Sequence, residues 1–133
     1  MNEIRIRQKT KLLEFDADNY TITGCIDNPV SGSDYILDKE LKTKLFRSKA
    51  KVHYLSNPID DMEPSYPVGN IEWVKWKDDS LIFKLKLDEN AFCGEIIRGE
   101  KGCIAELDIG VTEHEKIIKE IIVNSLDLID DRV

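Results

Sequence analysis

The chain has 133 residues, of which 41% are hydrophobic and 34% charged, and its formal net charge is −7. That length makes one domain, large enough to bury about two-thirds of the surface its unfolded form exposes. No stretch approaches the ~18 apolar residues of a spanning helix, and an acidic total argues against nucleic acid as the main partner, because phosphate binding needs a basic surface. Met1–Lys11 alternates charge with isoleucine and lacks the apolar centre of a signal peptide. Cys25, Cys93 and Cys103 cannot all pair within one chain, and none stands in a CxxC or Cys/His ligand spacing. The expectation is a reduced, cytoplasmic protein without structural zinc or another cofactor.

In chain order, Ile4 and Ile6 alternate with Arg5 and Arg7, predicting an edge or half-exposed strand that runs toward Leu12–Phe15. Residues 16–19 are a turn, and Tyr20 to Thr23 is β-branched and strand-like. Residues 27–34 read as a loop, and Asp38 as the cap of a short helix carrying Leu41, Leu45 and Phe46 at helical spacing. A strand over Lys51–Leu55 ends at Asn57-Pro58 and leads into an extended acidic connection, 59–67. Val68 to Leu87 is a β-hairpin turning at Asp78-Asp79. Its first strand puts Glu72, Val74 and Trp76 on one face and Ile71, Trp73 and Lys75 on the other. Its second sets Leu81, Phe83, Leu85 and Leu87 against Lys84 and Lys86.

Asp88 or Asn90 caps a helix over about 90–98 that Gly99 and Gly102 end. Cys103, Ala105, Leu107, Ile109 and Val111 then alternate with Ile104, Glu106, Asp108 and Gly110 as a strand. The last segment fits two descriptions. Thr112 with Glu115 makes a capping box, and Ile117, Ile118, Ile121 and Ile122 share a helix face. Yet five of the seven residues 117–123 are β-branched, which favours strand.

Charge is uneven along the chain. Residues 1–51 carry 10 basic and 8 acidic side chains, a balance of +2, and residues 52–133 carry 9 and 18, a balance of −9. Arg5, Arg7, Lys9 and Lys11 at period two, then Lys39 to Lys51, read either as solvated faces or as a patch for an acidic partner, such as the acidic half of a second copy.

Little in the chain is chemically pointed. His53 lies in an apolar-flanked strand, the setting of a structural histidine, and His114 lies between Glu113 and Glu115, a weak metal candidate. Asp60, Asp61 and Glu63 lack the spacing and glycine of a calcium loop. No local base activates Cys93 or Cys103 as a nucleophile, and Cys103 falls on the apolar face of its strand. There is no phosphate loop, HExxH or GxSxG.

The order of segments is more informative. Gly24-Cys25-Ile26-Asp27, a Gly/Ser/Asp loop and Tyr35-Ile36-Leu37 before a lysine-rich segment are followed by Lys51-Val52-His53-Tyr54-Leu55 and then Pro67-Val68-Gly69. After them come the hairpin ending Ser80 to Leu87, the pentad Leu107-Asp108-Ile109-Gly110-Val111, and Ile117 to Leu126. This succession resembles the tailed-phage prohead maturation proteases. They share a GYA-type strand, a histidine strand with a downstream P-[IV]-G, a GL-x-[VF]-x-[AG]-x-L strand, the nucleophile motif [LM]-S-[IF]-G-[FV] and a closing EVSLV segment. The resemblance spans roughly residues 19–129. It implies a mostly β fold: a small closed or partly open β-barrel with two or three short peripheral helices, related to the herpesvirus assemblin protease. It also implies serine endoproteolysis of scaffold and capsid precursor inside an immature head, and a strand at the C-terminal segment.

Two departures matter. Asp108 stands where the family has its nucleophilic serine. A carboxylate cannot carry acyl transfer as a hydroxyl does, because its acyl product is an anhydride and its charge repels the oxyanion. Val123 stands where the closing segment has its acid. Only His53 of the expected constellation remains, with Ser125 and Ser56 as substitute nucleophiles. Three functions follow: an inactive prohead-protease-like domain that binds scaffold or capsid protein, an active maturation protease, or a small dimeric interaction module. If His53 faces residue 108 within about 8 Å, Asp108→Ser should restore weak esterase activity, since a general base must reach its partner directly or through one water.

Overall fold

The computed structural model describes residues 2–27, 35–41, 45–47, 50–55, 66–78, 80–99 and 104–129. Within them lie ten strands: β1 (Asn2–Lys9), β2 (Lys11–Asp16), β3 (Thr21–Asp27), β4 (Ile36–Leu37), β5 (Leu45–Arg47), β6 (Lys51–Leu55), β7 (Tyr66–Lys77), β8 (Ser80–Leu87), β9 (Ile104–His114) and β10 (Ile117–Ile129). One helix, α1 (Ala91–Ile97), stands between β8 and β9. All the strands join one sheet in the order β1-β9-β10-β6-β7-β8-β3-β2, with β4 on β10 and β5 on β7.

The first and last strands of that order, β1 and β2, are consecutive in the chain and separated by Thr10 alone. Covalent continuity therefore ties the two ends of the sheet together, and the sheet curls into a half-barrel. Thr10 holds the join by donating its backbone N–H to the Ala105 carbonyl at 2.8 Å. The mostly β architecture expected from the sequence is present.

One face of the sheet makes the core. Ile22, Val52, Val74, Leu81, Phe83, Leu85, Leu107, Leu126 and Leu128 are fully buried there, and α1 adds Cys93, Ile96 and Ile97. Each large side chain removed from water contributes on the order of 1.5–3 kcal/mol. Alternation along β8 and β9 follows the sequence pattern directly: Leu81, Phe83, Leu85 and Leu87 point inward, as do Ala105, Leu107, Ile109 and Val111. Helix α1 begins where Asn90 accepts the Cys93 N–H at 2.8 Å and stops before Gly99, whose φ of +76° suits glycine.

Three expectations need correction. The helix expected after Asp38 does not run to Phe46. Asp38 accepts the Glu40 N–H on its side chain and the Leu41 N–H on its carbonyl at 3.0 Å, a 3₁₀ start. Residues 42–44 lie outside the described residues, and Leu45–Arg47 is a strand pairing with Leu45↔Lys75 in β7. A single α-helix therefore stands among the described residues, where two or three were expected. In β7 an irregularity between Ile71 and Trp73 shifts the alternation, so Ile71 is buried on the same side as Val74 and Trp76. The C-terminal segment, open to two descriptions from local residues, is strand. The β9–β10 hairpin turns on Glu115 and Lys116, both with positive φ (52° and 69°), the geometry of a type I′ turn. Glu113, buried inside the hairpin, accepts the Lys116 N–H at 3.1 Å. Of the loop read over 27–34, Asp27 ends β3 and 28–34 fall outside the described residues; of the connection read over 59–67, Tyr66 and Pro67 begin β7 and 59–65 fall outside, as does Gly102. No described helix is long and apolar enough to cross a membrane.

Candidate functional site

Strands β1, β9, β10 and β6 lie side by side, and alternate residues on each point away from the core. The half-buried residues Glu106 and Asp108 of β9, Ser125 and Asp127 of β10, and His53 of β6 share this outer face; the residues between them are buried. Register fixes their rows. Glu106 is opposite Asp127, and Asp127 is opposite His53. Asp108 is opposite Ser125, one row away.

The period-two arginines of β1 complete the face. Arg5 donates to Asp108 at 2.8 Å, and Asn124 Nδ2 donates to the other oxygen of the same carboxylate at 3.1 Å. Arg7 bridges two strands, reaching Glu106 at 2.8 Å and Asp127 at 2.6 Å. Glu106 and Asp127 are like charges directly opposite each other, an arrangement that destabilises a sheet unless neutralised. Arg7 supplies the neutralisation, and its hydrogen bonds, to Glu106 first and Asp127 second, raise the guanidinium above its ordinary value. The basic strand and part of the acidic half thus meet within one chain.

His53 is not placed against Asp108. The two residues are two strands and two residues apart; at ~4.8 Å per strand and ~3.4 Å per residue their Cα atoms are about 12 Å apart. The Asp108 carboxylate is also occupied by Arg5 and Asn124, so the expectation that position 108 faces the imidazole is not met. Ser125 is closer: it is on the strand next to His53, diagonally offset by two residues, at about 8 Å between Cα atoms. The carboxylate in register with His53 is Asp127, which is bound to Arg7.

The remaining sequence candidates are scattered. His114 is exposed at the hairpin tip with Glu115 at 3.8 Å, and no group of three metal-ligating side chains occurs among the described residues. Cys25 and Cys93 are buried free thiols. Burial pushes both above their ordinary pKa, with Asp27 and Asp88 respectively adding to the shift, so neither is a nucleophile at neutral pH. Ser56, Asp60, Asp61, Glu63 and Cys103 lie outside the described residues.

A second feature lies where β7 begins beside α1. Tyr66, Pro67, Val68, Asn90 and Phe92 line a cavity of about 310 Å³. Phe92 meets Tyr54 edge-to-face at 5.2 Å between ring centroids and Tyr66 at 6.4 Å with the rings tilted by 55°. In the sequence Asn90 stands out only as a helix cap and Pro67 and Val68 only within a motif, while Tyr66 and Phe92 belong to no motif. A tyrosine next to a proline at a strand start was the signal available.

Motif glycines have packing reasons of their own. A Cβ on Gly24 would lie 2.4 Å from Phe83 Cζ, and one on Gly69 would lie 2.1 Å from the Lys86 carbonyl oxygen. Both are required by close approach within the sheet, whatever the protein does. Comparison with protein-family models, curated proteins and solved structures finds no match to this chain.

Proposed function

We propose that this chain is a non-catalytic binding domain of prohead-protease type, related in fold to the assemblin barrel and acting on scaffold or capsid protein during phage head assembly. The phage assignment rests on the ordered motifs of the sequence. The absence of catalysis rests on one observation: the residue at the nucleophile position, Asp108, has its carboxylate bound by Arg5 and Asn124. A side chain held this way ties β1 to β9 and β10, and the imidazole that would serve it as a base is two strands away. A fluorophosphonate probe tests this on the intact chain. The expected result is no labelled serine, Ser125 included. Stoichiometric labelling of one serine that disappears in His53→Ala would overturn it.

One observation favours a second reading, an active maturation protease. Ser125 and His53 are diagonal neighbours on one face of adjacent strands. In that reading Ser125 replaces the family serine, and the labelled residue in the same experiment is Ser125.

A further inference from the structure

On the outer side of β6, β7 and β8 the charges are not paired as they are on β1, β9 and β10. Alternation and register place Lys51 of β6, Trp73, Lys75 and Lys77 of β7, and Lys84 and Lys86 of β8 on this side. Lys51 is opposite Asn70, Asn70 opposite Lys86, and Trp73 opposite Lys84. The residues that alternate with them, among them Val52, Val74, Trp76, Phe83 and Leu85, are buried in the core. At ~4.8 Å between strands and ~3.4 Å per residue, the lysines form a track about 20 Å long, from Lys51 and Lys86 at one end to Lys77 at the other.

Lys51, Lys75, Lys77 and Lys84 have no ion-pair partner among the described residues. Lys86 is engaged at its end of the track: it donates to the Asn19 carbonyl, lies 5.9 Å over the Tyr20 ring and has Glu89 at 3.7 Å. The nearby acids are Glu72 at the β7 irregularity, Glu14 and Asp16 on β2, and Asp27, which Lys11 holds at 2.6 Å. The net charge of −7 argued against nucleic acid as the main partner, yet the fold separates the charges, and phosphate binding responds to the local surface rather than to the total.

Trp73 distinguishes among polyanions. It is half-buried, with Lys84 across the strand pair and the Lys75 ammonium over its ring at 5.1 Å. A solvated cation–π contact is weaker than base–aromatic stacking, so a nucleobase can take the place of the ammonium, which then stays beside that nucleotide's phosphate. An acidic polypeptide would meet the lysines and leave the indole without a stacking partner. A duplex keeps its base faces inside the stack, out of reach of a side chain on a sheet face.

We propose that the outer face of β6, β7 and β8 binds a single nucleic-acid strand, with one base stacked on Trp73 and the phosphates tracked by Lys51, Lys75, Lys77 and Lys84. The site does not depend on the phage assignment or on the state of Asp108.

The test is the intrinsic tryptophan fluorescence of the full chain, titrated with the oligonucleotide octathymidylate. The other tryptophan, Trp76, is buried, so quenching by a stacked base reports Trp73. The expected result is saturable quenching whose log affinity falls with log salt at a slope of about −2 to −3, since each phosphate neutralised on a single strand contributes about −0.7. Lys75→Gln and Lys84→Gln should each make that slope shallower by about 0.7. Trp73→Leu should remove the quenching and weaken binding about tenfold. Octaglutamate and an eight-base-pair duplex should give no quenching. No saturable quenching by octathymidylate would overturn the proposal. So would octaglutamate competing with it at equal concentration, quenching by the duplex at equal strength, or lysine variants that keep the parent slope. The lysine variants change surface positions and decide the question even if Trp73→Leu does not fold. A serine labelled by the fluorophosphonate probe would count against the non-catalytic reading and leave this face untouched.

Discussion

The charged outer face of β1, β9 and β10 and the cavity at the start of β7 differ in composition: paired charges make the one, and aromatic and apolar side chains with a single amide line the other. On the face, Arg5 and Arg7 meet Asp108, Glu106 and Asp127 at 2.6–2.8 Å, and Asn124 supplies a further donor. At the cavity, Asn90 uses its oxygen to cap α1, and the other lining residues among those described are Tyr66, Pro67, Val68 and Phe92. The face contains the residues that sequence motifs single out, and its chemistry is internally closed. The cavity joins two motif residues, Pro67 and Val68, to Tyr66, Asn90 and Phe92, which no motif singles out. Titratable residues in a motif position need not mark a site: Asp108 and Glu106 are taken up by the arginines of β1.

Three changes break or sharpen the contrast, in decreasing order of effect. Gly69→Ala strikes the strand that leads from the cavity, where a Cβ would collide with the backbone at Lys86 and Leu87. Because backbone cannot rotate away, a loss of about 3 kcal/mol or more is expected, read as a fall in the midpoint of urea unfolding. Retained stability would mean that β7 and β8 are less closely apposed than described.

Arg7→Gln leaves Glu106 and Asp127 facing each other with no cation between them. Arg7 is about half exposed, so solvent screening limits the cost to about 1 kcal/mol, and added salt should recover part of it. A much larger loss that salt does not recover would mean that these ion pairs are less solvated than their exposure indicates, and the contrast would fail.

The smallest effect is with pH. Hydrogen bonds from Lys119 to Asp38, from Lys11 to Asp27 and from Asn19 to Asp16 hold these carboxyls below the ordinary 3.8. A depressed carboxyl favours the folded state when ionised. Its contribution is therefore complete above about 3.8 and is lost as pH falls through the lower folded values. Acid titration followed by NMR should disturb these exposed carboxylate contacts before the buried signals of Val68 and Ile96. The opposite order would contradict the account.

Much of the sheet was legible in the sequence where one face is buried and the other wet, as in Leu81, Phe83, Leu85 and Leu87 of β8. Local pattern failed where a partner strand decided the outcome. Leu41, Leu45 and Phe46 have helical spacing, yet pairing with Trp73, Val74 and Lys75 makes 45–47 a strand. Ile117, Ile118, Ile121 and Ile122 of β10 fit a helix face as well as a strand, and pairing with β9 on one side and, at Ile117 and Ile118, with β4 on the other selects strand. The irregularity after Ile71 left no local mark, so the facing of Ile71 was misread. On the outer face, His53 and Asp108 were legible as residues but their separation was not, because it depends on β10 lying between β6 and β9. The partnership of Arg5 with Asp108 spans 103 residues. Its trace in the sequence is one strand with basic residues at period two and another with acidic residues at period two, a complementarity that cross-strand pairing satisfies.

Asp108→Ser, assayed with a p-nitrophenyl ester alongside the parent chain and His53→Ala, tests the central claim most directly. If position 108 is a structural tie about 12 Å from the imidazole, the variant hydrolyses ester no faster than buffer and is slightly less stable, because Arg5 and Asn124 lose their acceptor. Hydrolysis above background that vanishes when His53→Ala is added would place that serine within reach of the base and contradict the account.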